Sequence, residues 1–269
     1  MKTNNRNNSF ANTLASDFFK LGKMKSVYIG AAIMFVLILI VFASLVVVNH
    51  VADAPEEGAT SIFGNNLLFD FATTASIELM ITIIIGIFIG KDFSNGTIRV
   101  AVAKGINRLS VYFSKVVVIA TLIFGYMAGS LLLCGIFTAI IGYDGAFTGL
   151  MFARLMRTFA LAFVALMASA SIYIMIAFLT RAPGAALGAS LGAYLLISFV
   201  VEILRLVGVI ANNGLSEAVE YFPLQQLSVC ASDQAMAVGE AMRLLFMPLA
   251  YTLISSFIGI ITFLKRDIK

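Results

Sequence analysis

Charge is what this chain has least of. Only 12% of its 269 residues are Asp, Glu, Lys or Arg, 61% are hydrophobic, and the mean hydropathy is +1.00. Soluble globular domains carry about 25% charged and about 45–50% apolar residues, so that class is excluded. Histidine is nearly missing, with His50 standing alone. A zinc-dependent intramembrane hydrolase needs several converging His or acidic ligands. The adjacent Glu56 and Glu57 sit in a Pro/Gly loop with no His–Glu helix motif. The two cysteines, Cys134 and Cys230, make neither a disulfide framework nor a metal site and read as free buried thiols. No Gly-rich loop ends in Lys-Ser or Lys-Thr, so the chain is expected to bind no ATP and no cofactor of its own. Strand-like alternation does not recur, which argues against an outer-membrane barrel. The cations form no clustered stripe, which argues against a nucleic-acid partner.

What the chain does have is long apolar runs. A bilayer core of about 30 Å needs about 20 apolar residues in helical form. Six stretches reach or approach that length: 27–48, 72–90, 116–142, 158–180, 185–201 and 244–264, the fifth continuing as helix to 210. Backbone amides in hydrocarbon must pair within their own segment, so these are helices. The expected fold is an all-α membrane protein with a tail and interfacial helix over 1–26 and a six-helix transmembrane domain over 27–269. The run ending near Ala52-Asp53-Ala54 is too long, and its polar leader too extended, for a cleaved signal peptide, so the first span is expected to be retained.

Charge also orients the spans. Fourteen of the eighteen Lys and Arg fall on one side, before the first span, around the second connection, after the fourth span and at the end of the chain. The other side holds only Arg154, Arg157, Arg205 and Arg243, among nine acidic residues. Lys and Arg accumulate on the cytoplasmic side, so both termini are expected there, with membrane lipid as the surroundings.

Between the spans, residues 9–24 place Phe10, Leu14, Phe18 and Leu21 at helical spacing, with Asn12, Ser16, Asp17, Lys20 and Lys23 elsewhere on the wheel. That pattern reads as an amphipathic helix in the membrane interface, in preference to a cytoplasmic extension of the first span. The third stretch contains Gly125, Gly129 and Gly135 and is long, predicting tilt or a kink. Arg181-Ala182-Pro183-Gly184 predicts a tight inner turn. Residues 212–243 are too polar to span and too apolar for a free loop, and read as short helices dipping into the outer interface.

Small residues repeat at Gly86 and Gly90, and again at Gly184, Gly188 and Gly192, where helix backbones can approach closely. Packing within one subunit is the favoured reading of both. Glu78 lies inside the second span and Glu202 near the outer end of the fifth. An ionisable group in lipid costs about 2.5–3.5 kcal/mol on insertion scales, so each should face a partner or a cavity. Glu202 has Arg205 three residues on, and a rim pair is the favoured reading. Glu78 either lines a transport pathway or pairs structurally with Arg154 or Arg157.

The compact basic connection between the second and third spans reads Lys91-Asp92-Phe93-Ser94-Asn95-Gly96-Thr97-Ile98-Arg99, then Gly105-Ile106-Asn107-Arg108 and Lys115. Asn95-Gly96 signals a turn, and 97–104 suits a short helix with Ile98, Ala101 and Val102 on its apolar face. With the span pattern, these residues resemble the membrane subunit of an ABC-2-type exporter, especially the small six-span permeases of bacterial bacitracin and lantibiotic resistance. The match is an acidic residue, an aromatic, Gly-Thr, a basic residue, then Arg and a later Lys; Gly105-Ile106 replaces the family's frequent Pro.

That resemblance implies a cytoplasmic coupling helix contacting a separate ABC ATPase through Asp92, Phe93, Gly96, Thr97, Arg99, Lys104 and Arg108. It also implies two ATPase copies carrying the ATP and Mg, a second permease copy or homologue, and outer re-entrant helices over 212–243. The expected work is export of hydrophobic or amphipathic substrates, possible antimicrobial peptides among them, across a bacterial cell membrane. The alternative is a non-transporting scaffold or sensor that binds a cytoplasmic partner through the same loop.

Overall fold

The computed structural model describes residues 5–51, 75–140, 149–211, 219, 221–223, 226 and 238–265. Its regular elements are helices, in chain order α1 (Asn5–Lys23), α2 (Lys25–Val51), α3 (Ala75–Ser94), α4 (Thr97–Ala103), α5 (Arg108–Ile140), α6 (Gly149–Thr180), α7 (Pro183–Ala211) and α8 (Val238–Lys265). No strand occurs among the described residues. Four helices, α5 to α8, are long and apolar enough to cross a membrane, and the bent pair α1–α2 makes a fifth if taken as one broken span. α3 carries Glu78, Lys91 and Asp92 within twenty residues, more charge than lipid-facing helices tolerate. The expected interfacial segment is indeed a separate helix, with α1 bent 55° from α2.

Several helices begin earlier than hydropathy indicates. α5 starts at Arg108 rather than 116, α6 at Gly149 rather than 158, and α8 at Val238 rather than 244. Hydropathy marks only the lipid-immersed part, whereas the hydrogen-bonded ladder runs on wherever side chains find partners. In α5 the added turns bury Val111, Tyr112, Ser114 and Lys115. Asn107 accepts a hydrogen bond from the Leu109 amide at 3.1 Å and so caps its start. At 33 residues α5 would measure about 50 Å, longer than the hydrocarbon core, and it is one uninterrupted helix.

α3 is the innermost element, with Ile77, Ile81, Ile84, Ile85, Phe88 and Ile89 all buried. It lies along α7 and α6, while α8 packs on α6 and α1 on α5. Gly86 and Gly90 explain the α3–α7 approach. A Cβ on Gly86 would stand 2.7 Å from the Leu187 Cα, and one on Gly90 2.5 Å from the Pro183 Cα. This pair therefore packs within the subunit, as its spacing suggests. Gly184, Gly188 and Gly192 behave differently, because a Cβ on any of them would meet nothing within 4 Å.

At the end of the bundle next to α4, Phe93, Tyr112, Phe178 and Phe263 join α3, α5, α6 and α8, with centroid separations of 5.5 Å for Phe93–Phe178, 4.9 Å for Tyr112–Phe178 and 5.0 Å for Phe178–Phe263. The predicted turn after α6 is present and places the non-glycine Arg181 at φ 56°, a left-handed conformation that costs about 1–2 kcal/mol. Ser171 and Ser255 hydrogen-bond across α6 and α8 at 2.5 Å. Cys134 is a buried thiol in no disulfide among the described residues, whereas Cys230 and most of 212–237 lie outside them.

Candidate functional site

α3 ends in a left-handed turn at Gly96 (φ 67°), from which the short helix α4 leaves and returns through Gly105 (φ 82°) into α5. A side chain at either glycine would be strained, so both are required by the turn itself. Ile98 is the residue of α4 that plugs into the bundle, as the apolar pattern predicts, while Arg99, Val100 and Lys104 are exposed.

Behind α4 stands a buried ionic cluster. The Lys115 side chain is only 2% exposed and lies between two carboxylates, donating to Asp17 Oδ1 at 2.7 Å and to Asp92 Oδ2. Ser114 donates to Asp17 Oδ2 at 2.7 Å. Lys20 donates to Asp92 Oδ1 at 3.0 Å, and the Thr97 hydroxyl reaches the same oxygen at 2.8 Å. The ammonium of Lys115 also lies 4.2 Å from the centroid of the Phe88 ring. Burial by itself raises the Asp92 pKa, but the Lys115 charge, with Lys20 behind it, holds the group below its ordinary value. The cluster thus ties α1, α3, α4 and α5 together at one point. Next to it a cavity of about 370 Å³ opens between α1 and α4, lined by residues including Asn12, Ser16, Asn95, Ala101 and Lys104.

The seven residues expected on an ATPase-facing surface therefore divide into two groups. Arg99 and Lys104 are exposed on α4, and Gly96 forms its turn. Asp92 is buried in the cluster, and Thr97 is bonded to it. Phe93 belongs to the aromatic cluster, with the Arg181 guanidinium 6.0 Å from its ring centroid. Arg108 donates to the carbonyls of Phe263 and Leu264 at 3.2 and 3.0 Å, capping the end of α8. These four side chains build the connection rather than decorate its surface.

Sequence reasoning missed Asp17, Ser114 and Lys115 as a unit. Asp17 was placed off the apolar face of α1, but it is buried on the packed face between Leu14 and Leu21, while Phe18 is exposed instead. The available signal was an acidic residue three after one packed leucine and four before the other.

A second site surrounds Glu78, in the first turn of α3. Its Oε1 accepts a hydrogen bond from the Tyr173 hydroxyl at 2.8 Å, while Oε2 is buried with no hydrogen bond among the described residues. The expected pairing with Arg154 or Arg157 is overturned. Ser169, which shares the Glu78 cavity, lies twelve residues from Arg157 along α6, about 18 Å at helical rise and beyond an arginine's reach. The cavity holds about 130 Å³ and is lined by Glu78, Ser169, Tyr173 and Tyr251 among others. Glu202 is not part of it; that side chain is 65% exposed and sits 3.6 Å from Arg205, the rim pair its spacing suggested. Among the described residues no group of three or more His, Cys, Asp or Glu converges in a metal-binding arrangement.

A family model described as "ABC-2 family transporter protein" matches residues 13–193, most of the chain. The chain belongs to the ABC-2 transporter family. The matched region takes in α4, the cluster from Asp17 to Lys115, and Glu78 with Tyr173. A search of curated proteins finds no match. Membership makes this chain a multi-pass membrane component of an ABC transporter, associated with an ATPase subunit.

Proposed function

We propose that this ABC-2 chain is the permease subunit of an ATP-driven exporter with six membrane spans, counting α2 and α3 as one crossing each. Both termini face the cytoplasm of a bacterial cell, α1 lies in the membrane interface, and α4 is the coupling helix gripped by a separate ATPase. Two ATPase copies supply the ATP and Mg, and a second permease copy or homologue completes the pathway. Amphipathic compounds such as antimicrobial peptides are the proposed cargo, and the segment over 212–243 is the proposed re-entrant element.

The observation that carries this reading is the arrangement of α4. Its outer face offers Arg99, Val100 and Lys104, while its root is joined through Asp92 and Thr97 to Lys115 and Asp17. Force applied to a small helix moves a bundle only if the helix is anchored in it, and four elements meet at this anchor. ATP binding would draw the ATPases together, α4 would follow, and the packed spans would rock as rigid bodies between two accessible states.

The test is co-purification of the chain with its ATPase, followed by hydrolysis measured in the reconstituted complex. The Arg99→Glu/Lys104→Glu variant should lower permease-stimulated hydrolysis by about tenfold, equivalent to about 1.4 kcal/mol of coupling, with an unchanged unfolding midpoint. Unchanged stimulation would move the contact elsewhere. Capture of an ATPase without any stimulation would favour the scaffold reading.

A further inference from the structure

The Glu78 cavity has a composition that transport by rigid-body rocking does not require. One carboxylate oxygen is held by Tyr173, the Ser169 hydroxyl also acts on the carboxylate, and Oε2 is buried without a hydrogen bond among the described residues. Among the described residues around it stand the rings of Tyr173, Phe222 and Tyr251, with Ile172, Ile197 and Pro223 also in the wall. Ser169, a further polar side chain of the lining, donates weakly to the Ala165 carbonyl at 3.5 Å and also acts on the Glu78 carboxylate. An unmade hydrogen bond on a buried charged group is expensive, and ionisable side chains at membrane depth mark functional sites by default.

The wall chemistry narrows the ligand. Aromatic faces attract cations through their quadrupole, and a single anionic oxygen supplies the counter-charge. A neutral apolar guest would leave Oε2 unpaired, and an anion would be repelled by it. The cavity volume of about 130 Å³ exceeds the roughly 30 Å³ share of one water molecule several-fold, so it admits an ammonium group with its first carbons. We infer that this cavity is a binding subsite for an organic ammonium group, with Glu78 as counter-ion and Tyr173, Phe222 and Tyr251 as its aromatic walls. The inference rests on the exporter reading for its purpose, which would be to select cationic amphipathic cargo over neutral compounds of the same shape. Its binding chemistry stands without that reading.

The experiment uses the full chain in lipid nanodiscs, with benzylammonium and the neutral benzyl alcohol as calorimetric probes and empty nanodiscs as the partition control. Wild-type protein should bind benzylammonium about tenfold tighter than benzyl alcohol. Glu78→Gln should collapse that preference to about twofold or less, Glu78→Asp should keep most of it, and Tyr251→Leu should weaken the cation severalfold. Ile197→Trp, which fills the cavity, should remove binding of both probes. Equal binding of the two probes to wild type, or an undiminished preference in Glu78→Gln, overturns the assignment. If Glu78→Gln does not fold, Tyr251→Leu and Ile197→Trp decide, because unchanged benzylammonium binding in both overturns it equally. Charge preference without ATPase stimulation would sink the exporter reading and leave the subsite; stimulation without charge preference would sink the subsite alone.

Discussion

Asp92 and Glu78 are buried carboxyl groups near opposite ends of the same helix, and they are treated in opposite ways. Asp92 is saturated: Lys115, Lys20 and Thr97 all donate to its carboxylate. Among the described residues Glu78 has one close donor, Tyr173, with Ser169 a weaker contributor, and its Oε2 is left without a hydrogen bond in a cavity. A buried ion pair usually adds little net stability over an apolar packing, since desolvation offsets the attraction. What the Asp92 cluster supplies is a unique register among α1, α3 and α5. The incomplete site leaves room for something that binds and departs. The contrast teaches that burial of a charge does not by itself say what the charge is for; the number of its partners does.

The comparison breaks most visibly at Lys115. Lys115→Met would leave Asp17 and Asp92 buried together without their shared cation, and we expect a loss of about 3–5 kcal/mol. Thermal unfolding of the detergent-purified chain should report it, and adding Asp17→Asn and Asp92→Asn should restore much of the loss. Glu78→Gln keeps an oxygen for Tyr173, so its cost should stay near 1 kcal/mol. Similar costs for the two variants would mean that the sites are alike after all.

A smaller effect is expected toward the C-terminal end of α3, where the helix is fixed against α7. Gly90→Ala puts a methyl against the Pro183 backbone, at a cost of about 1–3 kcal/mol in the same unfolding measurement. Gly188→Ala on α7 meets nothing and should be neutral or slightly stabilising through helix propensity.

The smallest loss is the acid response of the Asp92 cluster. The Asp92 pKa is lowered from 3.8, so its contribution to stability is full above that value and is lost as pH falls through the folded-state pKa below it. The unfolding midpoint should therefore hold from neutral pH to about 4 and then decline. Asp92→Asn should flatten that decline, and an unaltered acid profile in the variant would remove Asp92 from the account.

Much of the fold was legible because a bilayer leaves the backbone one option. The all-helical class, the separate α1, the short α4 with Ile98 inward and the tight turn at Arg181 follow from apolar length, turn residues and spacing. The site was legible only in outline. Loop chemistry pointed to Asp92–Arg108 as one functional stretch, yet it could not separate Arg99 and Lys104, which face outward, from Asp92, Phe93, Thr97 and Arg108, which hold the stretch in place. Asp17 and Lys115 lie 98 residues apart, and no local pattern joins them.

By itself, then, the sequence determined that this chain is helical and membrane-embedded, since composition and the cost of unpaired amides in lipid act locally along the chain. The tertiary structure alone decided which charges are neutralised, which glycines touch and where a carboxylate keeps an empty partner position. Those are distances between helices, and a hydropathy pattern, being nearly the same on every side of an apolar helix, carries no record of its neighbours.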